Sequence, residues 1–554
     1  MRLTRSHLFC AVALVMLSLL AALAAGCGGG GDEEESTPSG TGTAATPGAT
    51  GDAATPKYGG VFRSIYYKDP LSLDPHINAE MPVTMQFTQA VYSQLLRYNP
   101  EMKIEPDLAE SWEQVSPTEY VFHLRKGVKW QNVDPVNGRE FVASDVKYSV
   151  DRINTPEARF TYKENLEGTL DKVEVVDDYT VRFLLLKPNV FFIDYIAFPA
   201  LQMMPKEAVD KFGDNGELKS QAIGTGPFIL ESFSRGSGGK FKKNPDYFGK
   251  DKDGNPLPYL DGYEVSIITD QTARQVAFKT KQSDTGGVTT EEVDSFKKEY
   301  PTVVVNEFLV SNPFMVIQNG NRKPISDKRV RHAIMAATDR QQYLDMVFDG
   351  HGQVQYGMVP VAFGDWSLPR PADAGPDIAR AKSLLAEAGY SNGFSMSCTV
   401  TQAVTQTVDL GQIFQEQMKE IGVDIKLDVK EWGGYLMALL SGNMDSMILP
   451  NQAFPTIDGY LYRSVHTGAA GNVFKFSFPE LDAIVEKIRV TEDEQERKKL
   501  ALEAQEFIYD DAQAINFFCA KGYSAYWPYV KNWDPTMFAR AYPWYQLAEV
   551  WFDK

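Results

Sequence analysis

The sequence predicts an α/β protein built from more than one domain, and three observations carry that reading. The chain has 554 residues, too many for a single hydrophobic core. Between Tyr92 and Leu186 the pattern is rich in strands and poor in helices, as in an α+β unit. From Pro324 onward strands alternate with helices, the rhythm of a mixed α/β lobe.

The elements follow from local chemistry. Gly59 to Tyr66 reads as a strand, and Leu73-Asp74-Pro75-His76 as a turn. Val83 to Leu96 has helical spacing. Tyr120 to Arg125 alternates, with Tyr120, Phe122 and Leu124 on one side and His123 and Arg125 on the other, which predicts a half-buried strand. Lys126-Gly127 turns the chain into Val128-Lys129-Trp130. Ser144 is the expected N-cap of a helix carrying Val146, Val150 and Ile153. Lys172 to Val176 and Thr180 to Leu184, separated by Asp177-Asp178, predict a hairpin. Asp251-Lys252-Asp253-Gly254-Asn255 alternates oxygens like a calcium loop, but Pro256 and Gly262 stand where an EF-hand needs Gly and Glu. A surface turn is the expectation. Helices are predicted over 327–339, 377–388, 409–421, 481–490 and 494–509, with strands over 394–400 and 423–429.

The N-terminus has its own pattern. Arg2, Arg5 and His7 precede an apolar run from Leu8 to Ala25, then Ala24-Ala25-Gly26 and Cys27. This is the pattern of a secretory signal peptide over 1–26. Small residues before a cysteine resemble the bacterial lipobox, which implies that Cys27 becomes an acylated N-terminus and anchors the protein to a membrane face. Ala24 stands where that motif usually has Leu. Residues 27–56, glycine-rich, then acidic, then rich in Thr, Pro and Ala, form an expected flexible tether. Its reach is on the order of 30 Å by random-coil scaling.

Composition narrows the function. The net charge of −18 argues against nucleic acid as a partner. The 32 Phe, 26 Tyr and 8 Trp imply aromatic-rich cores or clefts. No P-loop, H-E-x-x-H or C-x-x-C motif is present. His76, His123, His332, His351 and His466 are scattered, which gives no local zinc cluster. The expectation is therefore a binder without cofactor, metal or catalytic residues. Cys398 and Cys519 can pair in an exported protein, but nothing in the sequence places them within bridging distance, so two buried thiols are preferred.

Several blocks occur in an order that resembles one family. Leu71-Ser72-Leu73-Asp74-Pro75-His76 comes first, followed by Leu108-Ala109-Glu110-Ser111-Trp112 and Phe122-His123-Leu124-Arg125-Lys126-Gly127-Val128-Lys129-Trp130. Ser144-Asp145-Val146, Gly224-Thr225-Gly226-Pro227-Phe228, Asn244-Pro245-Asp246-Tyr247 and Asp327-Lys328-Arg329-Val330-Arg331-His332-Ala333-Ile334, then Asp339-Arg340, complete the set. From about Tyr58 to the C-terminus the chain resembles bacterial extracellular solute-binding proteins of family 5, the peptide- and nickel-binding subunits of ABC importers.

The resemblance implies a periplasmic-binding-protein fold: two α/β lobes with a hinge plus an inserted α+β domain. Lobe one would be 57–86, 199–320 and 523–554, the insert 87–198, and lobe two 321–522. It implies capture of a small solute, most naturally a peptide, by a monomer that delivers it to importer permease subunits. Oligosaccharide, opine or nickel binding, or a sensory role, are the alternatives on the same scaffold. The implied ligand contacts are Glu80 and Met81 in lobe one, Trp432, Asn451, Gln452, Phe454 and Asp458 in lobe two, and Phe518. Where peptide binders of the family hold the ligand's amino terminus with Asp, this chain has Phe454. Asp458 is the nearest acid, and Trp432 with Phe454 could stack on a sugar or a capped peptide.

Overall fold

One strand, Ala514–Tyr526, holds the two halves of the protein in a single sheet. The computed structural model describes residues 55–77, 81–155, 163, 166, 168–213, 218, 220–404, 406–469, 471–534 and 545–554. The expected signal peptide, Cys27, most of the tether and Glu80 lie outside the described residues.

The first part of Ala514–Tyr526 runs antiparallel to Phe314–Gln318, with Ile515 opposite Val316. The second part runs antiparallel to Val304–Leu309, with Tyr523 opposite Glu307, and to Thr285–Gly287. The sheet continues from Phe314–Gln318 to Ser446–Pro450, Phe394–Thr401 and Val423–Lys430. Phe314–Gln318, expected at the end of lobe one, is thus a central strand of the lobe-two sheet. The chain crosses from Val304–Leu309 to Phe314–Gln318 at 310–313, within the 199–320 expected for lobe one.

In lobe two Phe394–Thr401 is parallel to both Val423–Lys430 and Ser446–Pro450. Parallel neighbours need crossovers, and the helices Gln406–Lys419 and Trp432–Ser441 supply them. Gln406–Lys419 buries Leu410, Ile413, Phe414 and Met418, which pack with Val316, Val400, Ile425 and Phe517. Asp327 and Asp377, where two of the expected helices begin, are their N-caps and accept from Arg329 N and Arg380 N.

Lobe one is a four-stranded sheet in which Val61–Tyr66 is parallel to Gly262–Ile267, followed by Gly238–Lys243 and Phe228–Ser234. The insert is a four-stranded antiparallel sheet in the order Ala109–Ser116, Glu119–Leu124, Thr180–Leu185, Leu170–Asp177. Tyr120, Phe122 and Leu124 are buried, as the alternation requires. The helix Ala143–Asn154 is not capped by Ser144, which lies inside its first turn. The cap position is Val142, and Asp145 in the first turn reaches back to it. Its carboxylate accepts from Val142 N (3.0 Å), from Trp130 Nε1 (3.1 Å) and from Arg139 through both oxygens (2.8 and 2.7 Å). A carboxylate in the first helical turn also faces the positive end of the helix dipole. The most recognisable block of the sequence is therefore a packing unit around one buried carboxylate.

The helix expected over 83–96 spans only Met81–Thr88. Tertiary bonds override the spacing: Phe228 N donates to Ala90 O (2.8 Å) and Gly226 N to Val91 O (2.7 Å). The approach is so close that a Cβ at Gly224 would lie 2.1 Å from Val91 O. The Gly224-Thr225-Gly226 motif exists for that contact. Asp251–Asn255 is a surface turn, with Asp251 Oδ1 accepting from Asp253 N and Asn255 N. Cys398 and Cys519 are free and buried, and burial pushes both thiols up to about 12.

The Leu73–His76 turn is pinned to the insert. Arg152 binds Asp74 through both carboxylate oxygens (3.0 and 2.6 Å) and donates to His76 Nδ1 (2.9 Å). An arginine can only donate, so Nδ1 accepts, and the proton sits on Nε2, which donates to Gln202 O at 2.7 Å. Burial first, and Arg152 second, lower the His76 pKa from 6.5 to about 4. A histidine held neutral this way binds fewer protons folded than unfolded. Its contribution is present above about pH 6.5 and is lost as pH falls towards 4. Thermal unfolding should show roughly 2–4 kcal/mol disappearing over that interval. His76→Gln should flatten this part of the pH profile. Equal slopes in the two proteins would contradict the assignment.

Candidate functional site

In α/β sheets ligands gather beyond the carboxyl ends of parallel strands, where the following helices begin. In lobe two those ends are Thr401, Lys430 and Pro450. Trp432 opens the helix that follows Lys430 and keeps 48% of its surface exposed. Its ring stacks on Tyr435 at 5.8 Å, and the Tyr435 hydroxyl donates to Ile448 O at 2.8 Å. A large ring held firmly from behind yet open in front is suited to stacking on a ligand. The loop after Pro450 brings Asn451 and Gln452 to the same edge. Asn451 N donates to Pro313 O at 2.8 Å, which ties this loop to the crossing between lobes. Gln452 is exposed, and its Oε1 accepts from Arg463 Nη1 at 3.2 Å.

Three expected contacts are placed elsewhere. Phe454 is 5% exposed and lies edge-on to Tyr460 at 5.0 Å. The Tyr460 hydroxyl accepts from Phe454 N (2.8 Å) and donates to Ser311 O (2.7 Å), so Phe454 belongs to the packing beneath the crossing. A Cβ at Gly459 would come within 2.2 Å of its ring, so the fit has no slack. Phe518 is fully buried between Phe314 (5.7 Å) and Phe348 (5.3 Å), in the core of lobe two.

Asp458 is 2% exposed and paired with Arg489 through both oxygens, at 2.8 and 2.7 Å. The Tyr195 hydroxyl, from the insert, also donates to Asp458. The Arg489 guanidinium lies 3.4 Å from the centre of the Tyr462 ring. Val190 N donates to Arg489 O (2.8 Å), and Phe192, Tyr195 and Ile196 share one hydrophobic cluster with Phe476, Val485 and Ile488. Asp458 is thus consumed in joining insert to lobe two. Met81 is the first residue of the helix Met81–Thr88.

Lobe one contributes an edge that the sequence reading missed. Beyond the ends of Val61–Tyr66 and Gly262–Ile267 is a cavity of about 270 Å³, lined by Tyr66, Tyr67, Gln271, Arg274, Thr285 and Thr289 among others. Arg274 Nη1 donates to Ile268 O (2.9 Å) and Thr269 O (2.7 Å), which fixes the guanidinium at this rim. The Tyr66-Tyr67 pair closing a strand was the available signal. A cavity of about 310 Å³ between Arg97, Glu105 and Glu549 is larger, but it sits at the hairpin Leu96–Tyr98/Ile104–Pro106, and Arg97 is already paired with Glu105 at 2.7 Å. Among the described residues no group of three or more His, Cys, Asp or Glu could hold a metal ion.

Two α/β lobes joined by crossing strands, each presenting its strand ends, define a two-lobed solute-binding protein. The model for bacterial extracellular solute-binding proteins, family 5, matches residues 103–472, and the chain belongs to that family. It is 26% identical over 440 residues to the dipeptide-binding protein of Escherichia coli K12, covering 74% of this chain and 80% of that protein. It is 27% identical over 481 residues to the glutathione-binding protein GsiB of Salmonella paratyphi A, covering 82% and 88%. Among solved structures it resembles the ABC transporter-associated periplasmic binding protein DppA of Helicobacter pylori in complex with the peptide STSA. That match has a TM-score of 0.76 and 25% identity, over 90% of this chain and 99% of that one.

Breaking the buried pair is a test of its role. Asp458→Ala strands Arg489 without its carboxylate and should cost about 3–5 kcal/mol of stability in denaturant unfolding of the solute-free protein. A ligand carboxylate in an open cleft would instead show little stability loss on removal.

Proposed function

We propose that the protein captures a peptide or peptide-like solute outside the cytoplasm and delivers it to the permease of an ABC importer. The observation that carries this reading is that each lobe has an open strand-end edge, with Trp432 exposed on lobe two and the Tyr66–Arg274 cavity on lobe one. The family membership and the dipeptide, glutathione and STSA partners of its relatives point to the same solute class. No bond is made or broken; the work is capture, closure and release.

In this reading 57–86, 199–309 and 523–554 form one jaw, 87–198 is its insert, and 314–517 forms the other jaw. Cys27 anchors the tether by acyl chains, and the protein acts as a monomer. Among the described residues no helix is long and apolar enough to cross a membrane.

The carboxylate that holds a peptide's amino terminus elsewhere in the family has no counterpart at Phe454, and Asp458 is occupied by Arg489. Stacking on Trp432 therefore bears more of the affinity, which favours solutes with a planar or apolar side group or a capped end.

The direct test is thermal shift and native mass spectrometry of the full chain with free tripeptides and glutathione. Binding at a hundredfold over the dissociation constant stabilises by about 2.7 kcal/mol. If no peptide shifts the melting temperature and none is retained through purification, the peptide reading fails. Trp432→Ala should weaken binding by about tenfold or more, while the melting temperature of the solute-free protein barely moves. A large loss of stability would make Trp432 a core residue.

A further inference from the structure

Two buried polar groups lie beside the crossing between lobes without a hydrogen-bond partner: Asn451 Nδ2 and Ser311 Oγ. Asn451 is 7% exposed and Ser311 fully buried. A buried donor left unpaired costs about 1–3 kcal/mol, so a native structure tolerates it where something else completes it.

Their positions are linked. Asn451 N donates to Pro313 O (2.8 Å), and the Tyr460 hydroxyl bridges Phe454 N (2.8 Å) and Ser311 O (2.7 Å). The segments Ser311–Pro313 and Asn451–Phe454 are therefore tied at both ends. The strand Ser446–Pro450 ends at Asn451, at the edge where Trp432 and Gln452 are exposed.

The chemistry of the missing partner follows from the amide orientation. Asn451 Oδ1 accepts from Gln452 N at 2.8 Å. Reversing the amide would set N–H against N–H, so Nδ2 is the free end, and it can only donate. Ser311 Oγ can also donate. We infer that Asn451 Nδ2 and Ser311 Oγ form a donor pair that receives a carbonyl or carboxylate oxygen of the captured solute. The pair selects at this point for an acceptor and against an ammonium group. This rests on the solute-capture reading above and adds Ser311 and a polarity to it.

The test uses the full chain with trialanine and trialanine amide as probes, read by calorimetry and by native mass spectrometry of retained solute. Asn451→Asp keeps the shape but replaces the donor with a carboxylate. It should weaken trialanine binding and solute retention by about tenfold or more. Ser311→Ala removes only a hydroxyl and should act in the same direction; it serves as the readout if Asn451→Asp does not fold. Loss of binding with the amide assigns the oxygen to the solute carboxylate, and equal binding assigns it to a backbone carbonyl. If both variants bind and retain solute as the parent does, the donor pair is occupied by water and the proposal is overturned, with the receptor reading intact. If the parent binds neither probe and retains nothing, the receptor reading itself falls and takes the pair with it.

Discussion

The structure depends on one constraint: a single strand must satisfy backbone hydrogen bonds in two lobes at once. Ala514–Tyr526 pairs with Phe314–Gln318 at one end and with Val304–Leu309 at the other. Its backbone cannot leave either half without stranding buried donors and acceptors. The lobes are thereby held at a defined register, and the short segment 310–313 links them alongside this strand. A β-irregularity between Phe314 and Met315 marks where the register adjusts. The strand-end edge of lobe two lies next to this crossing because Asn451, at the end of its own strand, bonds directly to Pro313.

Around that crossing, buried polar groups hold the parts together. Asp145 collects Trp130, Arg139 and Val142 within the insert. Arg152 ties Asp74 and His76 of lobe one to the insert. Arg489 and Tyr195 meet on Asp458 between insert and lobe two. Each carboxylate is matched by a guanidinium and further donors, the condition under which a buried charge is tolerated. The insert is thus bonded to both lobes, and its aromatic core runs on into the helices Pro479–Val490 and Glu494–Asp511.

The sequence reading succeeded where a signal is local. The alternation at Tyr120–Leu124, the helices beginning near 327 and 377, and the motifs were all legible, because each depends on residues a few positions apart. It failed where distant segments compete for the same residue. Helix spacing ran past Thr88, but Gly226 and Phe228 claimed the backbone of Ala90 and Val91. Ser144 looked like a cap, but Asp145 sat one residue on with more partners. Phe454, Asp458 and Phe518 were expected at the cleft from the family resemblance, and their side chains pack against Tyr460, Arg489 and the Phe314–Phe348 core.

By itself the sequence determined the family and the two-lobe α/β class with its insert. Those properties are written in periodicity and motif order. Only the tertiary structure decided which side chains stay open or unpartnered at the strand ends. Exposure at Trp432, the cavity beside Tyr66 and Arg274, and the unpartnered amide of Asn451 depend on what lies opposite each residue. That is set by strand register and by segments hundreds of residues apart, such as Tyr195 reaching Asp458.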